Sequence, residues 1–591
     1  MQQDDLYEEL KAAGVAPGSL VRFDQVATPR HVRYMDLVGA YSDLSTSALP
    51  DAVIESAGQP YLYVVRRDRL GDPGHAPPRL GELIRVLACR SDGRFLAVVR
   101  PGRIDVYPVG IFAGIPPIAL SSGSGANAAM LRGLLSGAVV GLESSKPRQS
   151  DPHNQWLEAL LFRLLTEAAG GIRRATPALS VQQTIALVGR ALFFRFLADR
   201  AIVIEEDVPL IAKGAIKLVD VFSTESNLLQ VCTWMDRTFN GDLLSFGEED
   251  RAILHSLAPH DLAEVCRHLT NIQYRAEGGQ LPLDWGGILF RHVPVDVLSQ
   301  VYEDFAHEFV PELARATSIH FTPRRLAEVV IDGAFSAVES APAHKAKVLD
   351  PAVGGGVFLV LALRRLVAER WQTKAIRPTR SVIREILMTQ LTGFDVNRDA
   401  LNITALSLYL AALELDPKPS PLTDLKFHKL IGTVLHPVDP AALGHDSQDA
   451  EVGSLADAVI HQFQHRFDIV VGNPPWTGFK GKNKEALNRV LVRLMTDAET
   501  DRAGAGSAPR ARLWFSGHCI LAGGYTVGKA EGCARVRLAW ANHVPAGVLR
   551  AAQTSLSFDA CNGTDEFCSF APRPPRMAHQ FGSLRAFGRT Q

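Results

Sequence analysis

Between residues 346 and 476 the chain repeats one pattern three times: a short apolar run, a turn, and something the run cannot continue into. KVLDPAVGGGVFLVLALRRLVAER reads as strand, glycine-rich turn and helix, and LTGFDVNRDALNITALSLYLAALEL (391–415) as strand, acidic turn and helix. The third is FDIVVGNPPW, in which Ile469–Val471 is short, β-branched and closed by Gly472. Strands that alternate with helices imply a parallel sheet covered on both faces. Pro474 and Pro475 have fixed φ and no N–H, so they neither extend a ladder nor form a helix interior. They make a stiff platform that holds Asn473 and Trp476 at the carboxyl end of a strand, where open α/β sheets bind ligands.

The rest of the chain is organised differently. Residues 1–145 read as a mixed α/β domain, with strands expected at 61–65, 82–89, 95–99 and 103–109 and turns at DGR and RPGR. SSGSGANAA (121–129) is expected to be a flexible loop. A metal-dependent nuclease would show an acidic residue followed by E-x-K on a strand. Pro50–Asp51 could start one, but no E-x-K follows, which favours a structural or DNA-contacting domain. Residues 150–317 carry helical periodicity in WLEALLFRLLTEAAG, TIALVGRALFFRFLADRAI and VPVDVLSQVYEDFAHEFV, with Phe193, Phe194 and Phe196 read as core. SIHFTPRRLAEVVIDGAF (318–335) reads as turn-like, 318–500 as a catalytic domain lacking its last strands, and 501–591 as an aberrant or poorly ordered tail.

Bulk properties set limits. With 591 residues the chain has room for several domains. Its formal net charge of −1 gives no global basic field for a nucleic acid, so any such contact rests on local patches. Seven cysteines without C-x-x-C or Cys/His ligand spacing fit a reducing compartment and argue against structural zinc. The acidic, amphipathic start MQQDDLYEELKAAG is no secretory signal, and no run reaches the ~20 apolar residues of a membrane span. A cytoplasmic protein without a metal is expected.

Glycines at 354, 355 and 356 let backbone approach a ligand beside a helix N-terminus, yet many α/β turns need one sterically. They match neither G-x-G-x-x-G nor a G-K-S/T nucleotide loop. Asp395, at the end of the second strand, could accept both hydroxyls of a ribose or merely cap a helix or sit in an exposed turn. Asp350, before Pro351, is either a turn residue or a ligand group.

Together these parts resemble the amino-group DNA methyltransferases, specifically the large N6-adenine type of restriction–modification and phage-defence systems, from about Val181 to Thr477. DPAVGGGVFL resembles the family's DPACGSGxFL, GFD (393–395) its acidic turn, FTP (321–323) the segment closing over the methionine end of the cofactor, and NPPW its catalytic N/D-P-P-Y/F/W. The helical stretches FFRFLADRAIV, FNGDLL and VPVDVLSQVYEDF resemble the region these large enzymes carry upstream. The resemblance implies a Rossmann-like S-adenosylmethionine-dependent domain preceded by a helical region and the N-terminal α/β domain. Thr322, Pro323, Asp350, Pro351, Gly354, Gly356 and Asp395 would hold S-adenosyl-L-methionine. Asn473 and Pro474, stiffened by Pro475, would hold the adenine amine, and Trp476 would stack on a base flipped from double-stranded DNA. Restriction or specificity subunits are the implied partners.

Two departures stand out. The family's acidic residue near the cofactor adenine has Thr433 as its counterpart in LIGTVLHP (430–437). After NPPW the family continues through further strands and a target-recognition region, whereas this chain runs into KGKNKEALNRVLVRLMTDAET, which reads as helical and basic. Residues 502–591 instead hold four cysteines and 11 Lys/Arg against four Asp/Glu. KAEGCARVRLA (529–539) can be encoded by codons that, read one base later, give RLKGARGFALP, where the family has a G-F-A-L-P-like strand. A frameshift near residue 500 is expected on this ground, with a divergent short C-terminal domain as the alternative. Rival functions are a catalytically dead methylase that binds DNA or a partner, a methyltransferase acting on RNA or protein amino groups, and an N-terminal nuclease.

Overall fold

The computed structural model describes residues 3–473 apart from positions 13, 26, 42–48, 57, 72–77, 93–94, 102, 110–117, 122–132, 134, 136–156, 240–245, 275–282, 285–287, 310–321, 323, 339–341, 418–427, 439–462 and 464–465, together with 525–530 and 533–538. Pro323, Pro474, Pro475, Trp476, the loop beyond residue 121 and most of the tail therefore lie outside the described residues.

The N-terminal region is built on a six-stranded mixed sheet: β1 (Leu20–Arg22), β2 (Ala52–Ser56), β3 (Gln59–Arg66), β4 (Phe95–Arg100), β5 (Arg103–Pro108) and β6 (Ile118–Ser121), in that order across the sheet. All neighbours are antiparallel except β3 and β4. The period-two alternation splits the side chains cleanly. Leu62, Val64, Phe95 and Ala97 face a cluster with Leu6 and Leu10 of α1 (Gln3–Ala12). Tyr63, Val65, Leu96 and Val98 face the opposite cluster, with Leu37 of α2 (Met35–Tyr41) and Leu83 and Leu87 of α3 (Pro78–Arg90).

Helix α3 corrects one expectation, the strand at 82–89. A parallel β3–β4 pair needs a crossover rather than a hairpin, and α3 is that crossover. Its apolar residues Leu80, Leu83, Ile84 and Leu87 recur at helical spacing, while Glu82 and Arg85 are exposed. The adjacent Val86, Ala88 and Cys89 fill the gaps and disguise that period. Strands at 61–65, 95–99 and 103–109 agree with β3, β4 and β5.

The helical region contains α4 (Leu157–Ala175), α5 (Val181–Asp199), α6 (Glu225–Thr238), α7 (Glu248–Ser256), α8 (Pro259–Thr270) and α9 (Val295–Phe309). A reciprocal cap starts α5: Ser180 accepts from the Gln183 N–H while Gln183 accepts from the Ser180 N–H. Phe193, Phe194 and Phe196 are buried, as their spacing predicts. Between α4 and α9 the short strands β7 (Gln273–Tyr274) and β8 (Leu283–Asp284) pair antiparallel. Residues 324–336, expected to be turn-like, form α10 (Arg324–Ser336), which buries Ala327, Val330, Ile331 and Ala334 at three- and four-residue spacing.

Beyond it lies the parallel sheet, β9 (Val348–Asp350), β10 (Leu391–Asp395), β11 (Leu435–Pro437) and β12 (Ile469–Val470), in the order β11–β10–β9–β12. Helices α11 (Val357–Lys374), α12 (Arg380–Gln390) and α13 (Arg398–Leu415) connect its strands. This is a Rossmann-like α/β arrangement. One continuous hydrophobic core runs from Leu157 through α9 and α10 to Val471 and also takes in Val32, Met35 and Cys89 of the N-terminal region, so the helical region and the parallel sheet share their packing. In the tail, β13 (Tyr525–Ala530) and β14 (Cys533–Leu538) form an antiparallel pair.

Candidate functional site

The register of the parallel sheet lines up the residues that carry the argument. Gly393 pairs with Asp350 across β10 and β9, and Val470 pairs with Leu349 across β12 and β9. Asp395, the Asp350–Pro351 corner and the Gly472–Asn473 exit from β12 therefore share one edge, at the carboxyl ends. The chain proceeds from β9 outward to β10 and β11, then returns to the other side of β9 for β12. Such a reversal opens a crevice at the strand ends between β9 and β12.

Asp350 is fully buried at that reversal. Its Oδ1 accepts the Ala352 N–H at 3.1 Å, while Oδ2 has no hydrogen-bond partner among the described residues. Burial pushes its carboxyl up to about 8, against the pull of the Ala352 N–H and with a further push from the Asp395 charge. Gly472 passes so close that a Cβ there would stand 2.9 Å from Asp350 Oδ1 and 3.2 Å from Pro351 Cδ. Any side chain at 472 would fill the space beside the carboxylate. Leaving a buried polar group unmatched costs roughly 1–3 kcal/mol, so an orphaned carboxylate oxygen in a glycine-lined crevice marks a place for a cationic or donor group.

Asp395 is not the helix cap. Asn397 fills that role, with its side-chain oxygen accepting the Asp399 N–H at 2.9 Å. The Asp395 carboxylate instead reaches back to the loop after β9: Oδ2 accepts the Gly354 N–H at 3.0 Å and Oδ1 the Asn397 N–H at 2.8 Å. Burial raises its pKa, and those N–H groups oppose the rise. Gly354 and Gly356 both have positive φ, +50° and +86°. A Cβ on Gly356 would meet Thr404 Cγ2 at 2.8 Å, so part of the glycine requirement is steric. The loop is pinned from behind, where Thr404 Oγ1 donates to the Gly354 carbonyl at 2.6 Å. Ser407 Oγ lies 3.2 Å from the Gly355 carbonyl and 2.6 Å from Ser299 Oγ on α9. Sequence reasoning missed Ser299, Thr404 and Ser407, whose only signal was polarity inside apolar helices. It also missed Val396, an apolar side chain 61% exposed directly after Asp395.

On the other flank, Asn473 Nδ2 donates to Thr322 Oγ1 at 3.0 Å. Thr322 is nearly buried, at 7% exposure, and is followed by a helix that two ion pairs hold in place. Arg324 Nε lies 2.8 Å from Asp296 on α9 and 3.0 Å from Glu328, and Glu328 also pairs with Arg33 of the N-terminal region. The structure thus brings Thr322, Asp350, Pro351, Gly354, Gly356, Asp395 and Asn473 to one edge, with Thr322 engaged by Asn473.

Thr433 is not the counterpart of an acidic residue at a strand end. It lies in the turn before β11, its Oγ1 donating to the Leu430 carbonyl at 3.1 Å. Gly432, with φ of +90°, shapes this turn, which the sequence disguises as part of the strand. Asp395 pairs with Pro437, so the residues just beyond that level on the β11 side are Val438 and Asp439, of which Asp439 lies outside the described residues.

In the N-terminal sheet Asp51 immediately precedes β2 and is fully buried. It accepts the Arg66 N–H at 2.7 Å and pairs with the Arg69 guanidinium at 2.8 Å and that of Arg66 at 3.6 Å. Facing it on β3 are Val64 and Arg66 rather than a second carboxylate and a lysine. Among the described residues no group of three or more His, Cys, Asp or Glu is arranged to hold a metal. The thiols of Cys89, Cys232 and Cys266 are buried, and burial pushes each up to about 11, which disfavours the reactive thiolate. No helix among the described residues is long and apolar enough to cross a membrane.

Residues 294–501 match the N-6 DNA Methylase family. Over 212 residues the chain is 27% identical to the adenine-specific methyltransferase PglX of Streptomyces coelicolor (strain ATCC BAA-471 / A3(2) / M145), covering 33% of this chain and 17% of that protein. The chain thus spans about a sixth of the length of the curated relative it matches. Among solved structures, a DrdV–DNA complex is 12% identical with a TM-score of 0.34, covering 83% of this chain and 43% of that one. A type I restriction–modification methyltransferase subunit from Streptococcus thermophilus is 16% identical with a TM-score of 0.27, covering 55% and 64% respectively.

Proposed function

We propose that this chain, whose residues 294–501 match the N-6 DNA Methylase family, transfers a methyl group from S-adenosylmethionine to the exocyclic amine of adenine in double-stranded DNA. The observation that carries this reading is the crevice at the strand-order reversal. An orphaned buried carboxylate oxygen on Asp350, a ribose-height carboxylate on Asp395 and the Asn473 amide share one edge there.

The residues present fit the cofactor. Asp350 would meet its ammonium group, which gives the orphaned oxygen a partner and draws the carboxyl into its charged form. Asp395 would accept from the ribose hydroxyls, and the exposed Val396 would lie against the flat face of the purine. The N–H groups of Val357, Phe358 and Leu359, in the first turn of α11 directly after the glycine loop, have no acceptor within the helix. When bound, S-adenosylmethionine supplies a methyl group on a positively charged sulfur, which leaves as a neutral thioether.

The work left to the protein is orientation. An adenine amino nitrogen is a weak nucleophile because its lone pair is delocalised into the ring. Asn473 Oδ1 and the Pro474 carbonyl, each accepting one of its N–H groups, would draw the nitrogen toward tetrahedral geometry and free the lone pair. One proton then passes from the methylated amine to water. Trp476 would stack on the extruded base for ~1–3 kcal/mol, against a flipping cost of a few kcal/mol. Under this reading residues 318–500 carry the chemistry, and the protein works in the cytoplasm beside restriction or specificity subunits.

The test is transfer of labelled methyl to unmodified genomic DNA, with RNA and protein acceptors in competition. Label in N6-methyladenine that disappears in Asn473→Ala supports the reading. Label in RNA or protein instead would replace the substrate, and cofactor binding without transfer would leave a binding protein.

A further inference from the structure

We infer that the edge of the N-terminal sheet carrying the RPGR hairpin (100–103) is a contact surface for the phosphate backbone of duplex DNA. The inference concerns a different part of the chain from the methyl-transfer reading and does not depend on it.

Topology gathers the arginines. Strands β3 and β4 run parallel and β4 and β5 antiparallel, so the ends of β3 and β4 and the start of β5 lie at one edge. Arg66 stands opposite Val99 there, and Arg100 opposite Arg103. The turn Arg67–Leu70 follows β3 directly, packs against β4 and adds Arg67 and Arg69. Five guanidiniums thus meet the carboxylates of Asp51, Asp68 and Asp105, in a chain whose net charge is −1. Like charges directly opposite each other in an antiparallel pair are unfavourable. The Pro-Gly turn between Arg100 and Arg103 requires arginine at neither flank, so folding alone does not account for the pair.

What holds the two arginines also fixes them. Asp105 Oδ2 accepts from Arg100 Nη2 at 2.7 Å, and Oδ1 from Arg103 Nε at 2.8 Å. The carboxylate is 8% exposed, whereas the arginine side chains are 40% and 50% exposed. Asp105 therefore engages one donor of the five on each guanidinium, and its single charge is divided between two cations. Asp51 is shared in the same way by Arg66 and Arg69. Burial raises the pKa of the Tyr107 hydroxyl and Asp105 adds to the rise, while Arg67, Arg100 and Arg103 oppose it, so three guanidiniums act on one point of this edge. Planar guanidiniums already held in place suit phosphate oxygens, because little side-chain freedom is lost on contact.

The experiment measures equilibrium binding of the full chain to duplexes of two unrelated sequences across a salt series. It compares the wild-type protein with Arg100→Gln/Arg103→Gln, with the same pair plus Asp105→Asn, and with Arg174→Gln on α4. The triple variant leaves no buried carboxylate stranded, and it removes the same net charge as Arg174→Gln, whose side chain is 72% exposed. Losing two phosphate contacts should flatten the slope of log affinity against log salt by about 1.8 in both edge variants. That amounts to roughly fiftyfold weaker binding near 0.1 M salt and almost none near 1 M. Phosphate contacts carry no base information, so both sequences should lose equally. S-adenosylmethionine affinity should be unchanged, and Arg174→Gln should bind DNA as the wild-type protein does. An unchanged slope in the triple variant, a loss confined to one sequence, or an equal loss in Arg174→Gln would overturn the inference. So would weaker binding of an acidic peptide with DNA binding intact, which would assign the edge to a protein partner. Failure of methyl transfer alongside the predicted change in slope would overturn the methyl-transfer reading and leave this inference standing.

Discussion

Two buried carboxylates stand at strand ends in this molecule, and they have been treated in opposite ways. Asp51, at the start of β2, is closed off by Arg66 and Arg69 and by a backbone N–H. Asp350, at the end of β9, receives one backbone N–H and keeps an oxygen without a hydrogen-bond partner among the described residues. Burial alone therefore does not mark a functional acid. What distinguishes the two is whether the protein supplies the counter-charge itself. Asp51 is part of the architecture of its sheet. Asp350, beside which Gly472 leaves no room for a side chain, is the acid that the proposed function assigns to an incoming ligand.

The largest effect should come from breaking the closed site. Removing one member of a buried ion pair strands the other, at a cost of about 3–5 kcal/mol. Asp51→Asn should lower the stability of the N-terminal sheet by that order, seen as an early transition in denaturant melts, with the cofactor affinity of the folded protein unchanged. Next comes the glycine that shapes the open one. Gly356→Ala places a Cβ against Thr404 at positive φ and should cost ~1–3 kcal/mol.

A pH series sharpens the contrast further. Because the Asp350 carboxyl is raised to about 8 in the fold, the folded state binds a proton that the unfolded chain has lost above its ordinary value near 4. Its contribution to stability is fully present below about 4 and is lost progressively as pH rises to about 8. Asp350→Asn mimics the neutral form and should remove that part of the pH dependence in thermal melts from pH 5 to 9. The smallest effect belongs to Val396→Ser. At 61% exposure it should leave stability unchanged and weaken cofactor affinity only severalfold, consistent with the loss of about 1 kcal/mol of apolar cover.

What could be read from the sequence was what is encoded locally. FDIVVGNPPW announces a buried strand followed by a stop, and DPAVGGGVFL a strand, a turn and a helix start; β9, α11 and β12 fall where those patterns put them. Segment 82–89 misled because seven of the eleven residues from Leu80 to Arg90 are apolar, so the helical period is drowned by its own side chains. Thr433 misled because a turn and a strand of similar composition abut within eight residues. The Thr322–Asn473 bond joins positions 151 apart, and Asp51 finds Arg66 and Arg69 only once β2 and β3 pair. No local pattern carries such information. The contacts that decide which acid is open and which is closed are tertiary.

Equilibrium binding of labelled S-adenosylmethionine to the wild-type protein, Asp350→Asn and Asp51→Asn separates the open acid from the closed one. The expected result is binding by the wild-type protein, a loss of about a hundredfold in Asp350→Asn, the scale of one charged hydrogen bond, and no change in folded Asp51→Asn. Equal affinity in wild-type and Asp350→Asn, or a comparable loss in both variants, would contradict it.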